Sequence, residues 1–319
     1  MIRETEKTMR IGIDLGGTNI KAGLVNDRYE IVKKASIPTR AEREAPEIIR
    51  DMAELAVRVA HEAGYGIDDI ESVGIGSPGT CDSAAGVLVY SNNLKFFKLH
   101  MRDEMRKYIN KPIFIDNDAN CAAFGEYSVL ENKPSVFAAV TLGTGVGGGV
   151  VIGGRVFRGF NGVAPELGHT TLEMNGKKCT CGRVGCFEQY ASATALISQT
   201  NEAIEKNPES ILAKVALREG KVNGRTAFIA EREGCEVGHA VADKYIEYLG
   251  MGLVNVINAF SPEVLCIGGG VCGEGARILD PVKAYCAEHV YCPYVEQTEI
   301  RIAKLGNDAG IIGAAMLDE

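Results

Sequence analysis

Between Gly162 and Glu188 the chain reads GVAPELGHTTLEMNGKKCTCGRVGCFE, and His169, Cys179, Cys181 and Cys186 fall within eighteen residues of it. The spacing is H-x9-C-x-C-x4-C. An imidazole and three thiolates fill the tetrahedron that Zn2+ prefers and leave no open position, which describes a structural rather than a catalytic site. Gly182 and Gly185 supply the tight turns that bring three sulfurs to one ion. Such a knot would also fix the two carboxylates beside it, Glu166 three residues before the histidine and Glu188 two after the last cysteine. The same residues are compatible with unligated core thiols, or with a redox pair and a spare. The C-x-C pair is shorter than the usual C-x2-C knuckle.

A chain of 319 residues is long for one core and suits two domains. Its net charge of −8 argues against a nucleic-acid platform, which needs clustered Lys and Arg, but not against a small phosphorylated ligand. No apolar run reaches the length of a membrane span, and the polar start MIRETEKT has no signal-peptide core. Ten cysteines without paired spacing suit a reducing, cytoplasmic setting. Residues 1–9 read as a disordered tail.

Residues 10–16 (RIGIDLG) form a strand that breaks at Gly16-Gly17, and 18–25 (TNIKAGLV) return as the second strand of a hairpin. Asp14 then sits at a strand end beside a glycine turn with bare N–H groups. Such a turn admits a phosphate, and the carboxylate suits hydrated Mg2+; a plain hairpin explains the same residues. Residues 46–64 have helical spacing, with Pro46 in the first turn, Gly64 as the stop and His61 on the surface. The strand 71–76 runs into Ser77-Pro78-Gly79 at the edge where α/β sheets bind ligands. Asn92 and Asn93 are amides for a polyhydroxylated ligand, or a turn. The strand 112–116 ends at Asn117-Asp118, ahead of a helix that begins CAAFGEY. Asp118 is there either a helix N-cap or a general base.

A second strand, 135–142, is followed by Gly143-Thr144-Gly145-Val146-Gly147-Gly148-Gly149 and then by a strand at 150–152. It repeats the pattern of residues 10–25 and predicts an internal duplication with one phosphate turn in each half. It is neither a Walker A loop nor a dinucleotide fingerprint, because no G-K-[ST] and no helix follow. Helices are expected over 191–205, 211–217 and 238–260, the last stopped by Pro262. The strand 263–267 leads into Gly268-Gly269-Gly270, a third glycine turn. A strand at 299–303 and a helix at 308–317, packed back on the first domain, complete the expectation.

Taken together, IDLGGTNIKAGLV, GIGSPG, IDNDANCAAFGE, TLGTGVGGGVV, NGVAPELGH with CTCGRVGCFE, and IGGG resemble the ROK family of sugar kinases over residues 10–317. Within that family CTCGRVGCFEQYASATALI is most similar to the glucokinases. The resemblance implies an α/β chain with the two-domain actin/hexokinase/Hsp70-like ATPase fold, built from duplicated ribonuclease H-like domains with a structural zinc loop. It places a smaller N-terminal domain at 10–121 plus 305–319, a larger C-terminal domain at 122–304 and the zinc loop at 169–186.

It further implies ATP-dependent phosphorylation of a hexose 6-hydroxyl, glucose before N-acetylmannosamine, N-acetylglucosamine or fructose. ATP and Mg2+ would meet Asp14, Gly16, Gly17, Thr18, Lys21, Thr144, Gly145 and Gly268 to Gly270. Asp118 would be the base. The sugar would meet Gly76, Ser77, Pro78, Gly79, Asn93, Asn117, Glu166, His169 and Glu188. His169 would serve both zinc and sugar, joining Cys179, Cys181 and Cys186 as the Zn2+ ligands. Asn92-Asn93-Leu94 and Lys95-Phe96-Phe97 depart from the family pattern, so the contacts of that loop stay open. The family also suggests a homodimer or homotetramer. A DNA-binding repressor of the family would need more than the nine residues ahead of the first strand. A sugar sensor without catalysis stays open, as does polyphosphate in place of ATP. A two-carboxylate glycosidase would not need two phosphate turns.

Overall fold

The computed structural model describes residues 8–91 and 93–317; most of the expected tail and Asn92 lie outside the described residues. In chain order the first part holds β1 (Met9–Leu15), β2 (Asn19–Val25), β3 (Ile31–Pro38), α1 (Ala45–Glu62), β4 (Ile70–Ser77), β5 (Thr80–Asp82), β6 (Val87–Ser91), β7 (Phe96–Leu99), α2 (Met101–Arg106), β8 (Ile113–Asn117) and α3 (Asp118–Ser128). Next come β9 (Val136–Leu142), β10 (Val146–Ile152) and β11 (Arg155–Val156). The remainder is α4 (Glu188–Ala191), α5 (Ala193–Lys206), α6 (Ile211–Arg218), α7 (Thr226–Arg232), α8 (Glu236–Phe260), β12 (Val264–Gly268), α9 (Ala276–His289), β13 (Glu299–Ile302) and α10 (Ala309–Ala315).

Two five-stranded sheets carry the same plan. The first runs β3-β2-β1-β4-β8 and the second β11-β10-β9-β12-β13, so in each a strand meander leads into two parallel strands. The duplication expected from the glycine turns is therefore a duplication of sheet topology. By their contacts the described residues form two compact units. One comprises those up to Lys133, Gly149–Pro165 and those from Lys304 on; the other comprises Pro134–Gly148 and Glu166–Ala303. The expected boundary at 121/122 falls inside α3, which stays whole because it packs along its length on α10.

Strand parity organises the first unit. Side chains alternate across a strand, so Ile11, Ile13 and Leu15 of β1, Val73 and Ile75 of β4, and Ile113 and Ile115 of β8 join one core. Helix α1 closes that core with Ile48, Ile49, Met52, Leu55, Ala56 and Val59, an apolar stripe at helical spacing behind Pro46. The opposite parity shows Gly12, Gly74 and Gly76 to α10 and α3. A Cβ on Gly12 would lie 1.8 Å from the carbonyl oxygen of Ile311, and one on Gly74 would lie 1.7 Å from that of Ala314. Gly125 of α3 and Gly313 of α10 meet in the same manner, at 2.2 Å from the oxygen of Ala309 and 1.7 Å from that of Cys121. The predicted return of the last helix to the first domain is thus a backbone-to-backbone contact.

The far end of α3 is tied as firmly. Glu126, 4% exposed, accepts the N–H groups of Lys304 and Leu305 at 2.9 and 2.7 Å. Lys133 donates to the carbonyls of Tyr127 and Ser128 at the helix C-terminus, a favourable place for a cation.

Several elements differ from expectation. Gly147, Gly148 and Gly149 lie inside β10 rather than in the turn, which is confined to 143–145. A Cβ on Gly149 would come within 2.5 Å of Ala123 on α3, so the glycine serves packing. The short strand expected ahead of Asn92 is β6, whereas helices α2, α4, α7 and α9 and strands β3, β5, β7 and β11 were not foreseen. Among them, α9 contains Pro281 and β3 alternates between half-buried and exposed positions, so neither carries a clean apolar period. Among the described residues no helix is long and apolar enough to cross a membrane.

Because backbone stands on both sides of Gly313, Gly313→Ala should destabilise the protein by about 1–3 kcal/mol or more, the cost of overpacking. Chemical denaturation followed by circular dichroism measures it.

Candidate functional site

In the first unit the chemistry collects at the C-terminal ends of the parallel strands. Asp14 pairs in register with Gly76, and Gly76 with Asp116, so the three stand in one row across β1, β4 and β8. Ser77 and Asn117 form the next row, and α3 begins immediately after it. The cap of α3 is Asn117. Its Oδ1 accepts the N–H groups of Ala119 at 2.9 Å and Asn120 at 3.2 Å, and its Nδ2 donates to the carbonyl of Gly79 at 3.0 Å. The capping role open to Asp118 from sequence is therefore held by its neighbour. Asp118 occupies the first helical position, and its Oδ1 accepts the N–H of Ala119 at 2.9 Å. A Cβ on Gly76 would lie 3.6 Å from the Cα of Asp118, so β4 runs close beneath it.

Ser77 and Pro78 are buried, whereas Gly79 is partly open; the paired strand end holds Ser77 inside. Gly79 has φ +109°, and a Cβ there would meet the carbonyl oxygen of Tyr90 at 2.1 Å, a position only glycine tolerates. The Gly16-Gly17-Thr18 turn is less bare than expected. The N–H of Gly16 closes the turn on the carbonyl of Asn19 at 2.9 Å, and the hydroxyl of Thr39 donates to the carbonyl of Gly16 at 2.6 Å. Exposed Asn93 stands against this turn, its Cβ 3.8 Å from where a Cβ of Gly17 would be. Lys21 pairs with Asp14 at 2.8 Å.

The second unit holds the other predicted residues. The β9–β10 turn closes with the N–H of Gly143 on the carbonyl of Gly145 at 3.0 Å, leaving Thr144 exposed. Parallel pairing of β12 with β9 sets Gly268 opposite Thr141. Gly269, at φ +110°, places its Cα where a Cβ would lie 2.1 Å from the oxygen of Leu142. The two glycine turns of this unit are therefore neighbours. A Cβ on Gly145 would come within 2.5 Å of a carboxylate oxygen of Glu188, so that carboxylate lies against the turn.

Glu188 in turn adjoins the cysteine loop. It accepts from the thiol of Cys179 at 3.0 Å and stands 3.8 Å from Nδ1 of His169, while Nε2 of His169 faces Glu166 at 4.0 Å. One atom from each of His169, Cys179, Cys181 and Cys186 lies within 4.8 Å of the others. Nδ1 of His169 is 3.7 Å from the sulfur of Cys179, and the sulfurs of Cys181 and Cys186 are 3.6 Å apart. A tetrahedral ion with bonds of ~2.3 Å to sulfur spaces its sulfurs by ~3.8 Å, so the donor set fits Zn2+ in kind and in spacing. Phe187, fully buried, lays its ring on Gly252 of α8 and anchors the loop between Cys186 and Glu188.

The ROK family profile matches residues 10–319. The chain belongs to the ROK family. Among its relatives is a glucokinase of Thermotoga maritima, 35% identical over 98% of this chain and 97% of that protein. An N-acetyl-D-glucosamine kinase of Aliivibrio salmonicida is 32% identical over 97% of this chain and 99% of its own length. The crystal structure of a ROK family glucokinase from Streptomyces griseus in complex with glucose and AMPPNP superposes with a TM-score of 0.81 at 32% identity, covering 96% of this chain and 98% of that one. The two-domain actin/hexokinase-like architecture implied by the family resemblance is the architecture observed.

Burial pushes the carboxyl of Glu166 above its usual range; His169 opposes the shift and Glu188 adds to it. Burial likewise raises the thiol of Cys121 beneath the α3 junction, with Asp116 adding to it, which marks an inert core cysteine. Among the described residues every cysteine is outside a disulfide.

Sequence reasoning missed Asp116 and Arg158. Their ion pair, at 2.6 Å with the Asp116 side chain only 2% exposed, lies beneath the α3 junction. The available signal was an aspartate at a core-strand position two residues before the candidate base. It also missed the buttress from Thr39, which no local pattern announces.

Metal analysis of the purified protein should find one zinc per chain. Cys181→Ser, at the exposed cysteine of the cluster, should lower that content while leaving the helical signal in place.

Proposed function

We propose that the chain is an ATP-dependent sugar kinase that phosphorylates the 6-hydroxyl of a hexose, with glucose as its preferred substrate. The observation that carries the reading is Asp118 at the first position of α3, directly after the strand end of β8 and on the sheet edge that carries Asp14, while Asn117 performs the cap. That arrangement supplies an acceptor for a hydroxyl proton on the same sheet edge as a carboxylate and glycine turn suited to phosphate. The relatives named glucokinase, and the related structure holding glucose and AMPPNP, support the same assignment.

In-line phosphoryl transfer asks the protein for position and charge rather than covalent chemistry. Asp118 takes the proton as the 6-hydroxyl attacks the terminal phosphoryl group. Asp14, partnered by Lys21, and the Gly16 to Thr18 turn are assigned to the phosphates, as are Thr144 and Gly145. Mg2+, when bound with ATP, neutralises phosphate charge, and Asp14 is the carboxylate offered to it. Gly268 to Gly270 form the turn assigned to the nucleoside, where Gly269 and Gly270 are exposed and nothing lies near the Cβ position of Gly270. Glu166, His169 and Glu188 bind sugar hydroxyls, each carboxylate accepting from up to two. Gly79, Asn93 and Asn117 contact the same sugar, while Gly76, Ser77 and Pro78 shape its floor. Zn2+ in the cysteine loop fixes the loop that presents Glu166 and Glu188 and takes no part in the transfer.

A second reading, N-acetylglucosamine as substrate, draws on the kinase of that name at similar identity and coverage.

A hexose panel at fixed ATP, read by ADP release, tests both. Glucose should give the highest kcat/KM, and a higher value for N-acetylglucosamine would favour the second reading. Asp118→Asn should lower kcat by about 10²-fold or more, the scale of a lost general base, with the circular dichroism spectrum retained.

A further inference from the structure

Asp116 is the fourth residue of β8, and its carboxylate is surrounded by donors. Oδ1 accepts the backbone N–H of Asn117 at 2.7 Å and Nδ2 of Asn120 at 3.0 Å, and Oδ2 accepts Nε of Arg158 at 2.6 Å. The residue before Asp118 and the residue two after it therefore hang on one buried group. Asn120 is itself 2% exposed, and its Oδ1 meets no hydrogen-bond partner among the described residues. Its orientation is thus set by the bond to Asp116 alone. Asn117 extends the chain of contacts to the carbonyl of Gly79.

A buried carboxylate is tolerated only with a paired cation and filled lone pairs. Arg158, whose side chain is 29% exposed, supplies the cation from outside the strand. As a device for stability this is a poor choice, since apolar side chains of similar volume do as well or better. As a device for orientation it is apt, because three donors converging on one carboxylate allow little rotation of the strand-to-helix turn.

We propose that Asp116, held by Arg158, is a positioning residue that sets the carboxylate of Asp118 against the substrate hydroxyl. The proposal rests on the reading of Asp118 as the base. It predicts a loss in kcat much larger than any rise in hexose KM, because Asn117 is the one assigned sugar contact bonded to Asp116, while Glu166, His169 and Glu188 are untouched.

The test compares Arg158→Ala, Asp116→Asn, Asp118→Asn and the double variant Arg158→Ala with Asp118→Asn, each checked by thermal melting. Arg158→Ala removes a partly exposed side chain and is the variant to rely on if Asp116→Asn does not fold. It should lower kcat by about 10²-fold, the scale of a small misplacement. Millimolar guanidinium should restore part of that rate in Arg158→Ala and none in Asp116→Asn. In the Asp118→Asn background Arg158→Ala should cost nothing further, since no base remains to be oriented. Multiplying losses in the double variant, or an Arg158→Ala kcat close to wild type beside a crippled Asp118→Asn, would overturn the positioning role alone. Near-normal turnover by Asp118→Asn would instead overturn the assignment of the base.

Discussion

Helix α10 lies so close to β1, β4 and α3 that no Cβ fits at Gly12, Gly74, Gly125 or Gly313. Dispersion forces fall steeply with separation, and backbone in direct contact leaves no gap for a helix to shift within. The position of α3 follows from that contact at one side and from Glu126 and Lys133 at its far end. Because Asp118 is the first residue of α3, the place of the proposed base is inherited from packing many residues away. The head of the same helix is trimmed by Asn117 and Asp116, so both ends are secured by polar groups and the middle by glycine.

The cysteine loop follows a different logic. Its backbone is partly laddered, with the N–H of Cys179 on the carbonyl of Arg183 at 2.8 Å and that of Phe187 on the carbonyl of Thr170 at 2.8 Å. Phe187 docks it on α8. These contacts bring three sulfurs and an imidazole to the spacing of a tetrahedral ion, and the carboxylate of Glu188 lies between that cluster and the turn at Gly145. A loop of this length has little apolar surface with which to hold two carboxylates still. Metal ligation is a compact means of doing so.

Each sheet delivers its functional residues to the C-terminal ends of parallel strands, the edge at which α/β folds bind ligands. In the first unit the parity of β1, β4 and β8 sends aliphatic residues to α1 and leaves Asp14, Gly76 and Asp116 on the face of α10 and α3. A one-residue slip in any of these strands would exchange core for chemistry. In the second unit the register of β12 on β9 brings two glycine turns together that are more than a hundred residues apart in sequence.

Much was legible in the chain by itself. The glycine turns at Gly16, Gly143 and Gly268, the H-x9-C-x-C-x4-C spacing, the hairpin before Lys21 and the amphipathic α1 are local patterns, and local patterns survive without knowledge of neighbours. Three matters were decided only by tertiary structure. Asn117 took the cap that the sequence left open to Asp118, because its amide also reaches Gly79 in the turn after β4. Gly147 to Gly149 became strand rather than turn, because they pair in the sheet and two of them are packed, Gly148 against Leu167 and Gly149 against Ala123 of α3. Asp116 and Arg158 became an ion pair across forty-two positions, a contact that no periodicity encodes. The division has one physical origin: spacing along a chain reports which side chains share a face, whereas the partner that face meets depends on how distant segments pack.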